Sequence, residues 1–292
     1  MKKKLTALTL AVAMAASMAG CSGSSSQADT EAADTTAAAD TEAAADDEST
    51  EAAAEDTQAE GEAAATLETA QEGKLVMVTN AEFPPYEYHE GDEIVGIDAE
   101  IAAAIADELG LELVIEDIAF DSIIPELVSG KADFAMAGMT VTEERKQSVD
   151  FSNTYAQASQ KVIVQEGSEI ATPDDLAGKI VGVQLGTTGD LYVTDLEAEG
   201  TTVERFSKGF EAVQALSQGK VDAVVIDEQP AEVFVSQTEG LMILADSFTD
   251  EEYAAAVKKG NTALLNAIND ALATLDDAGE LDAIVAKYIT AE

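Results

Sequence analysis

Arginine occurs at two of the 15 basic positions of this chain, Arg145 and Arg205, so a positive charge of no particular shape is met with lysine. A guanidinium is a flat fork of donors that matches a carboxylate, whereas an ammonium is a point charge. Arg145 closes the run "MAGMTVTEER" (136–145), behind Gly138 and Thr140. Gly138 lets another molecule come close to the backbone. Its amide, that of Thr140, a hydroxyl and the guanidinium together suit one carboxylate; an internal ion pair is the alternative use of Arg145. The opposite need arises in "VVID", where Asp227 ends an apolar run. A carboxylate buried there without compensation is costly, so it asks for a cation. "QLGTTGD" (184–190) sets the hydroxyls and amides of Thr187 and Thr188 ahead of a helix, again suited to anionic oxygen. Its glycines are too loosely spaced for a phosphate loop, and no lysine follows. A carboxylate clamp facing an ammonium acceptor is what an α-amino acid zwitterion requires. Phe83 in "EFPPYEY" and Phe120 in "AFDSIIP" could pack on a ligand side chain or fill the core.

These residues stand at the ends of short β-branched runs that alternate with amphipathic stretches, the pattern of a parallel sheet with crossover helices. Strands are expected at 74–80, 111–117, 132–138, 161–165, 179–184, 201–206 and 221–227. One helix is expected at 97–110, with Ile97, Ile101, Ile105 and Leu109 on one face and Gly110 as its stop. Others follow at "DSIIPELVSG", capped by Asp121, at "TPDDLAG", "GDLYVTDLEAEG", "GFEAVQALSQG" and "EQPAEVFVSQ", and two more after Asn261. "FPPYEYHEGDEIVG" reads as a long loop. Two successive β/α sets and a helical tail point to two similar lobes. A ligand would lie beyond the carboxyl ends of the strands, in the cleft between them.

The start of the chain has another character. Lys2, Lys3 and Lys4 precede an apolar stretch at 5–16 that is short for a membrane span, so 1–20 reads as an export signal. It runs into "SMAGC", where Cys21 is the only cysteine. Small residues before it resemble a bacterial lipobox, so Cys21 is expected to carry a lipid; a plain signal peptide with an incidental thiol is the alternative. No disulfide is possible. Positions 22–73 carry 15 acidic residues and no Lys or Arg, and 21–73 read as a lipidated cysteine with a disordered acidic tether. Such a tether reaches on the order of 40 Å. Transient alanine-rich helix is its alternative, opposed by like charges four residues apart. From Lys74 onward 12 basic residues face 43 acidic ones, which argues against nucleic acid and against direct contact with an anionic membrane. The lone histidine, His89, lies in a charged loop. With no Ser/His/Asp or Cys/His set and no metal cluster, neither catalysis, cofactor nor metal is expected.

The runs "NAEFPPYEY", "GIDAEIAAAIADELG", "FDSIIPELVSGKADFAMAGMTVTEERKQSVDFSNTY", "VGVQLGTTG", "VDAVVID" and "AVKKGNTALLNAINDALATL" resemble the polar amino-acid solute-binding proteins, family 3, of ABC importers. The resemblance covers 74–292 and implies an α/β, two-lobed periplasmic-binding-protein fold, type II-like. Lobe 1 would hold 74–158 and 253–292, and lobe 2 would hold 159–252. Two hinge crossings are implied near 155–159 and 249–253, with the ligand cleft between the lobes. It further implies a free L-amino acid as ligand, an ABC permease as partner, and a monomer held outside the cytoplasm by its lipid anchor. Carried onto this sequence, Arg145 would take the α-carboxylate with Gly138, Thr140 and the amide of Thr188. Asp227 would take the α-ammonium, and Phe83 with Phe120 would sandwich the side chain. Asn80, Glu82, Gln184 and Ile226 fall at the family's variable pocket positions. The neutral pair Asn80 and Gln184 favours an uncharged polar side chain, while Glu82 leaves a cationic one open. A ligand-sensing lipoprotein that meets no permease is one alternative function. A dehydratase-like enzyme, with Glu82 as its spare acid, is another.

Overall fold

A computed structural model describes residues 67–289. The expected signal segment, Cys21 and nearly all of the tether lie outside the described residues. The chain runs β1 (Lys74–Thr79), β2 (Glu82–Phe83), β3 (Glu87–Glu90), β4 (Glu93–Val95), α1 (Ile97–Leu109), β5 (Glu112–Asp117), α2 (Ile123–Ser129), β6 (Phe134–Ala135) and β7 (Val149–Gln165). It continues through β8 (Ile180–Gln184), α3 (Thr188–Asp195), β9 (Thr202–Phe206), α4 (Gly209–Ser217), β10 (Ala223–Asp227), α5 (Glu228–Ser236), β11 (Leu241–Ile243), β12 (Thr249–Lys258), α6 (Thr262–Asp277) and α7 (Glu280–Tyr288). Nine strands form one mixed sheet in the order β5-β1-β6-β12-β7-β10-β8-β9, with β11 also on β7. Parallel pairs β1–β5 and β1–β6 lie toward one end of it, and β8–β9 and β8–β10 toward the other. The antiparallel pair β7–β12 joins the two, with Thr249 opposite Gln160 and Tyr253 opposite Ala156.

The helices cover the sheet as their periodicity demands. Ile97, Ile101 and Ile105 of α1 are fully buried, and share a core with Leu264 and Ile268 of α6 and Ile284 of α7. Gly110 ends α1 in the left-handed region at φ 65°, where a side chain would be strained. A separate cluster fills the space under β8 and β10, with Val181, Val183, Val193 and Val225.

Four local expectations change. The segment at 83–96, read as a loop, falls largely within a small antiparallel sheet β2-β3-β4 whose strands are two to four residues long, too short to show a period. Gly96 closes it at φ 125°, where a Cβ would stand 2.2 Å from the Tyr86 carbonyl. Asp121 does not cap a helix: 120–122 is a 3₁₀ turn, Ser122 occupies the cap of α2, and no side-chain cap bond forms there. The strand expected at 132–138 shrinks to β6, because the chain leaves the sheet toward Gly138 and Thr140. Finally, 161–165 is only the end of the 17-residue β7, whose middle is polar and half-exposed because it crosses between the two parts of the sheet.

Candidate functional site

All ten residues expected to contact a ligand line one narrow cavity, together with Glu87 and Ala137. Most of them converge because they stand at or just beyond strand ends. Asn80 follows β1, Phe83 ends β2, Gly138 and Thr140 follow β6, Gln184 ends β8, Thr187 caps α3, and Asp227 ends β10. Gly138 has φ 51°, and a Cβ there would meet the Phe83 ring at 2.8 Å. Both backbone and ring therefore require glycine. Phe83 in turn stacks on Tyr86, and Tyr86 stands edge-on to Tyr253.

Arg145 is 6% exposed and donates to two carbonyls, from Nη1 to Thr140 at 2.8 Å and from Nη2 to Gly186 at 3.1 Å. Its guanidinium carbon lies 5.4 Å from the centre of the Phe120 ring. Burial pulls its pKa below the ordinary value, against the charges of Glu251 and Asp227. Among the described residues it forms no ion pair, so the internal salt bridge considered above is not its use. A fork of five N–H donors thus spends two bonds on neutral carbonyls, and its charge is left for an anion.

Arg205 proves to belong to the same construction. Its Nε donates to Asp190 Oδ1 at 2.8 Å, and Asp190 Oδ2 accepts the Gly186 amide at 3.0 Å. The carbonyl of that same Gly186 receives Arg145. Gly186 itself has φ 81°, and a Cβ would press on Asp121 at 3.1 Å. Sequence reading had left Arg205 without a role, since nothing in the spacing of 145, 190 and 205 announces this relay.

Some expected donors are already engaged. The Gly138 amide donates to Asp98 Oδ2 at 2.8 Å. The Thr140 and Thr188 hydroxyls donate to Glu251 Oε2 at 2.7 and 3.0 Å, and the Thr187 hydroxyl donates to the Gln184 carbonyl at 2.8 Å. Of the expected donors, the charge of Arg145, the Thr140 amide, and the Thr188 and Gly189 amides at the head of α3, which have no intrahelical acceptor, remain available. Glu251 was missed because it lies in the acidic run "TDEEY". Strand alternation was the available clue: Glu251 and Tyr253 are buried while Asp250 and Glu252 are exposed. Two further expectations are corrected. Glu82 does not line the cavity but ion-pairs with Lys208. Ile226 packs toward Gly209, where a Cβ would meet it at 2.7 Å.

Asp227 is 5% exposed and accepts a hydrogen bond from the Tyr253 hydroxyl, with no cation beside it among the described residues. Burial first, and then the charge of Glu251, push its carboxyl up to about 7. Elsewhere on the wall, Gln184 Nε2 donates to Asn80 Oδ1 at 2.9 Å, and Asn80 Nδ2 donates to the Ile118 carbonyl at 2.9 Å. His89 pairs with Asp117 outside the cavity at 2.9 Å. Among the described residues no cluster of three His, Cys, Asp or Glu side chains could hold a metal, and no helix is long and apolar enough to cross a membrane.

The family model for bacterial extracellular solute-binding proteins, family 3, matches residues 75–291. The arginine-binding extracellular protein ArtP of Bacillus subtilis (strain 168) is 36% identical over 75% of this chain and 87% of its own length. A solved structure of an ancestral arginine-binding protein bound to arginine is 42% identical, with a TM-score of 0.72 over 74% of this chain and 98% of the other. An ancestral arginine-binding protein bound to glutamine gives 42% and 0.72 over 76% of this chain and all of the other.

Proposed function

This chain belongs to the bacterial extracellular solute-binding proteins, family 3, and we propose that it binds one polar L-amino acid and delivers it to the permease of an ABC transporter. The observation that carries this reading is one cavity lined by a guanidinium, Arg145, and a carboxyl, Asp227, neither of which has an ion-pair partner among the described residues. A zwitterion supplies both missing charges at once. Arg145 and the head of α3 take the carboxylate, Asp227 takes the ammonium, and Phe83 and Phe120 flank the side chain. Beyond them, Asn80 and Gln184 line the cavity as neutral amides bonded to each other, which suits a polar side chain with N–H groups, so arginine and glutamine head the candidates. The solved ancestral relative is described with each of these two ligands. Lobes at 74–158 with 253–292, and at 159–252, would close about the β7–β12 crossing. The uninterrupted pairing of 249–253 with 156–160 supports that boundary. Lipidation of Cys21, a monomeric state and a solely binding role complete the proposal; Cys21→Ser should release the protein from the membrane fraction.

A thermal-shift screen against the L-amino acids, followed by calorimetry, tests the assignment. A ligand at a hundredfold over its Kd adds about 2.7 kcal/mol of stability. No shift with any of them would end the amino-acid reading.

The titration of Asp227 adds a pH signature. A carboxyl raised from 3.8 to about 7 by folding favours the native state at low pH, and that advantage is lost as pH rises through about 7. An ammonium beside it removes the loss. The thermal shift caused by ligand should therefore be larger near pH 8 than near pH 5, and the difference should vanish in Asp227→Asn. A shift independent of pH in the parent protein would refute the pairing.

Asp190→Asn should weaken binding by roughly tenfold, because the Gly186 carbonyl loses its support and Arg145 loses a fixed partner. Arg205→Lys, which keeps the charge on Asp190, should retain more affinity than Arg205→Gln. Equal affinities for the two arginine variants would separate Arg205 from the site.

A further inference from the structure

Glu87 and Asp98 are two carboxyl groups without any exposed surface. Glu87 opens β3 and lines the cavity, and Asp98 is the second residue of α1. Donors around them are few. Asp98 Oδ2 accepts the Gly138 amide and the Tyr155 hydroxyl, both at 2.8 Å. Among the described residues, Asp98 Oδ1 and both oxygens of Glu87 receive no donor, although the two side chains are hydrogen-bonding neighbours. Neither takes part in an ion pair among the described residues. Two ionised carboxylates have no proton to bond through, and two unpaired charges in one buried spot repel.

We infer that Glu87 and Asp98 hold one proton between them, with Glu87 as the neutral partner donating to Asp98 Oδ1, and that the pair positions the wall of the cavity. One proton resolves the contradiction. Asp98 then carries the single charge, satisfied by Gly138, Tyr155 and Glu87. The groups facing the pair reinforce this. Asp117 at the end of β5 and Asp227 at the end of β10 are acids, while Tyr86 and Tyr155 are neutral donors. Burial first, and the charge of Asp98 next, push Glu87 well above the usual carboxylate range. Asp98, raised to about 6 by burial, is restrained by the Gly138 amide and the Tyr155 hydroxyl.

The positioning follows from Gly138. Its amide is tied to Asp98, its φ of 51° admits the Phe83 ring at a distance no Cβ would permit, and Thr140 lies two residues on. A neutral Glu87 also leaves Asp227 as the carboxylate of the cavity wall that awaits the ammonium. That functional part rests on the amino-acid reading above; the protonation does not.

Infrared difference spectra of the full chain, parent minus Glu87→Gln, at about pH 8 keep the two apart, since Asp227 is mostly ionised there. The expected result is a protonated-carboxyl band present in the parent and absent from the variant. Glutamine supplies an N–H where Glu87 supplies O–H, so this variant should bind arginine or glutamine within about threefold of the parent. Glu87→Ala, which leaves Asp98 Oδ1 without a donor, should lose roughly tenfold or more. The fall of Tm with rising pH should also be shallower in Glu87→Gln, because a neutral side chain replaces an acid raised by folding. Absence of the band overturns the shared proton. A band with unchanged affinity in Glu87→Ala overturns the positioning. If the band is present while the parent binds no amino acid, the proton stands and the functional reading falls.

Discussion

Arg145→Lys is expected to reduce ligand affinity by roughly a hundredfold or more, the usual scale for removing one partner of a buried, hydrogen-bonded charge pair. The charge survives, but the shape does not. Arg145 reaches Thr140 and Gly186 with two different nitrogens while its guanidinium carbon lies over the Phe120 ring. An ammonium cannot hold both carbonyls, stack on the ring and still offer two parallel N–H groups to a carboxylate. The fold itself should lose little, because the bonds given up end on neutral carbonyls and a buried charge becomes easier to hydrate. The expected signature is a large rise in Kd by calorimetry with Tm nearly unchanged in the absence of ligand. Affinity within about twofold of the parent would remove Arg145 from the carboxylate site.

How much of this was legible beforehand depended on the kind of physics that placed each residue. Asp227, Gln184 and Asn80 announced themselves because each follows or ends an apolar run, and a polar residue there has little to do except face what lies beyond the sheet. Arg145 stood out by composition. The β2-β3-β4 sheet was invisible because strands of two to four residues show no alternation above chance. Glu251 and Glu87 were hidden differently, among surface-like acidic neighbours in "TDEEY" and "PYEYHE". Their burial is set by strand register and by partners outside their own element, Thr140 for Glu251 at 111 residues' separation and Asp98 on α1 for Glu87. Long-range contacts of that sort leave no local trace. The spending of hydroxyl donors is the same lesson at smaller scale. Thr140 and Thr188 were placed at the cavity from sequence, but only Glu251 decides that their protons point away from it.

On the reading proposed above, that arrangement makes closure and recognition one event. Arg145 touches Gly186, and Gln184 touches Asn80, across sequence separations of 41 and 104 residues. The residues proposed for the ligand's two charges come from different parts of the sheet, the β6 side and β10, so a single zwitterion would gain its full interaction only when both are near. A ligand with that differential affinity shifts the equilibrium toward the closed form. The Asn80–Gln184 bond and the Glu82–Lys208 ion pair add to closure without contributing a charge to the ligand.

Asp227→Asn is expected to discriminate between ligands in a way Arg145→Lys does not. Asparagine is nearly the same size, keeps one acceptor oxygen for the Tyr253 hydroxyl, and carries no charge. For the protein without ligand the change removes an acid that folding raises to about 7. The sign is fixed: below about pH 4 parent and variant should melt alike, and above about pH 7 the variant should be the more stable, since it no longer loses a proton from a buried site. Binding moves the other way. An α-amino acid brings an ammonium whose counter-charge is gone, and its affinity should fall by roughly a hundredfold. The des-amino analogue of the same ligand brings no ammonium, so its weaker affinity should stay within a few-fold of its value in the parent. Calorimetry on the pair of ligands with both proteins makes a double-mutant cycle whose coupling energy is the ammonium–Asp227 interaction itself. A coupling near zero, with both ligands losing equally, would mean that Asp227 supports β10 and α5 rather than the ligand, and the ammonium would have to be sought at Glu251, whose Oε1 has no hydrogen-bond partner among the described residues.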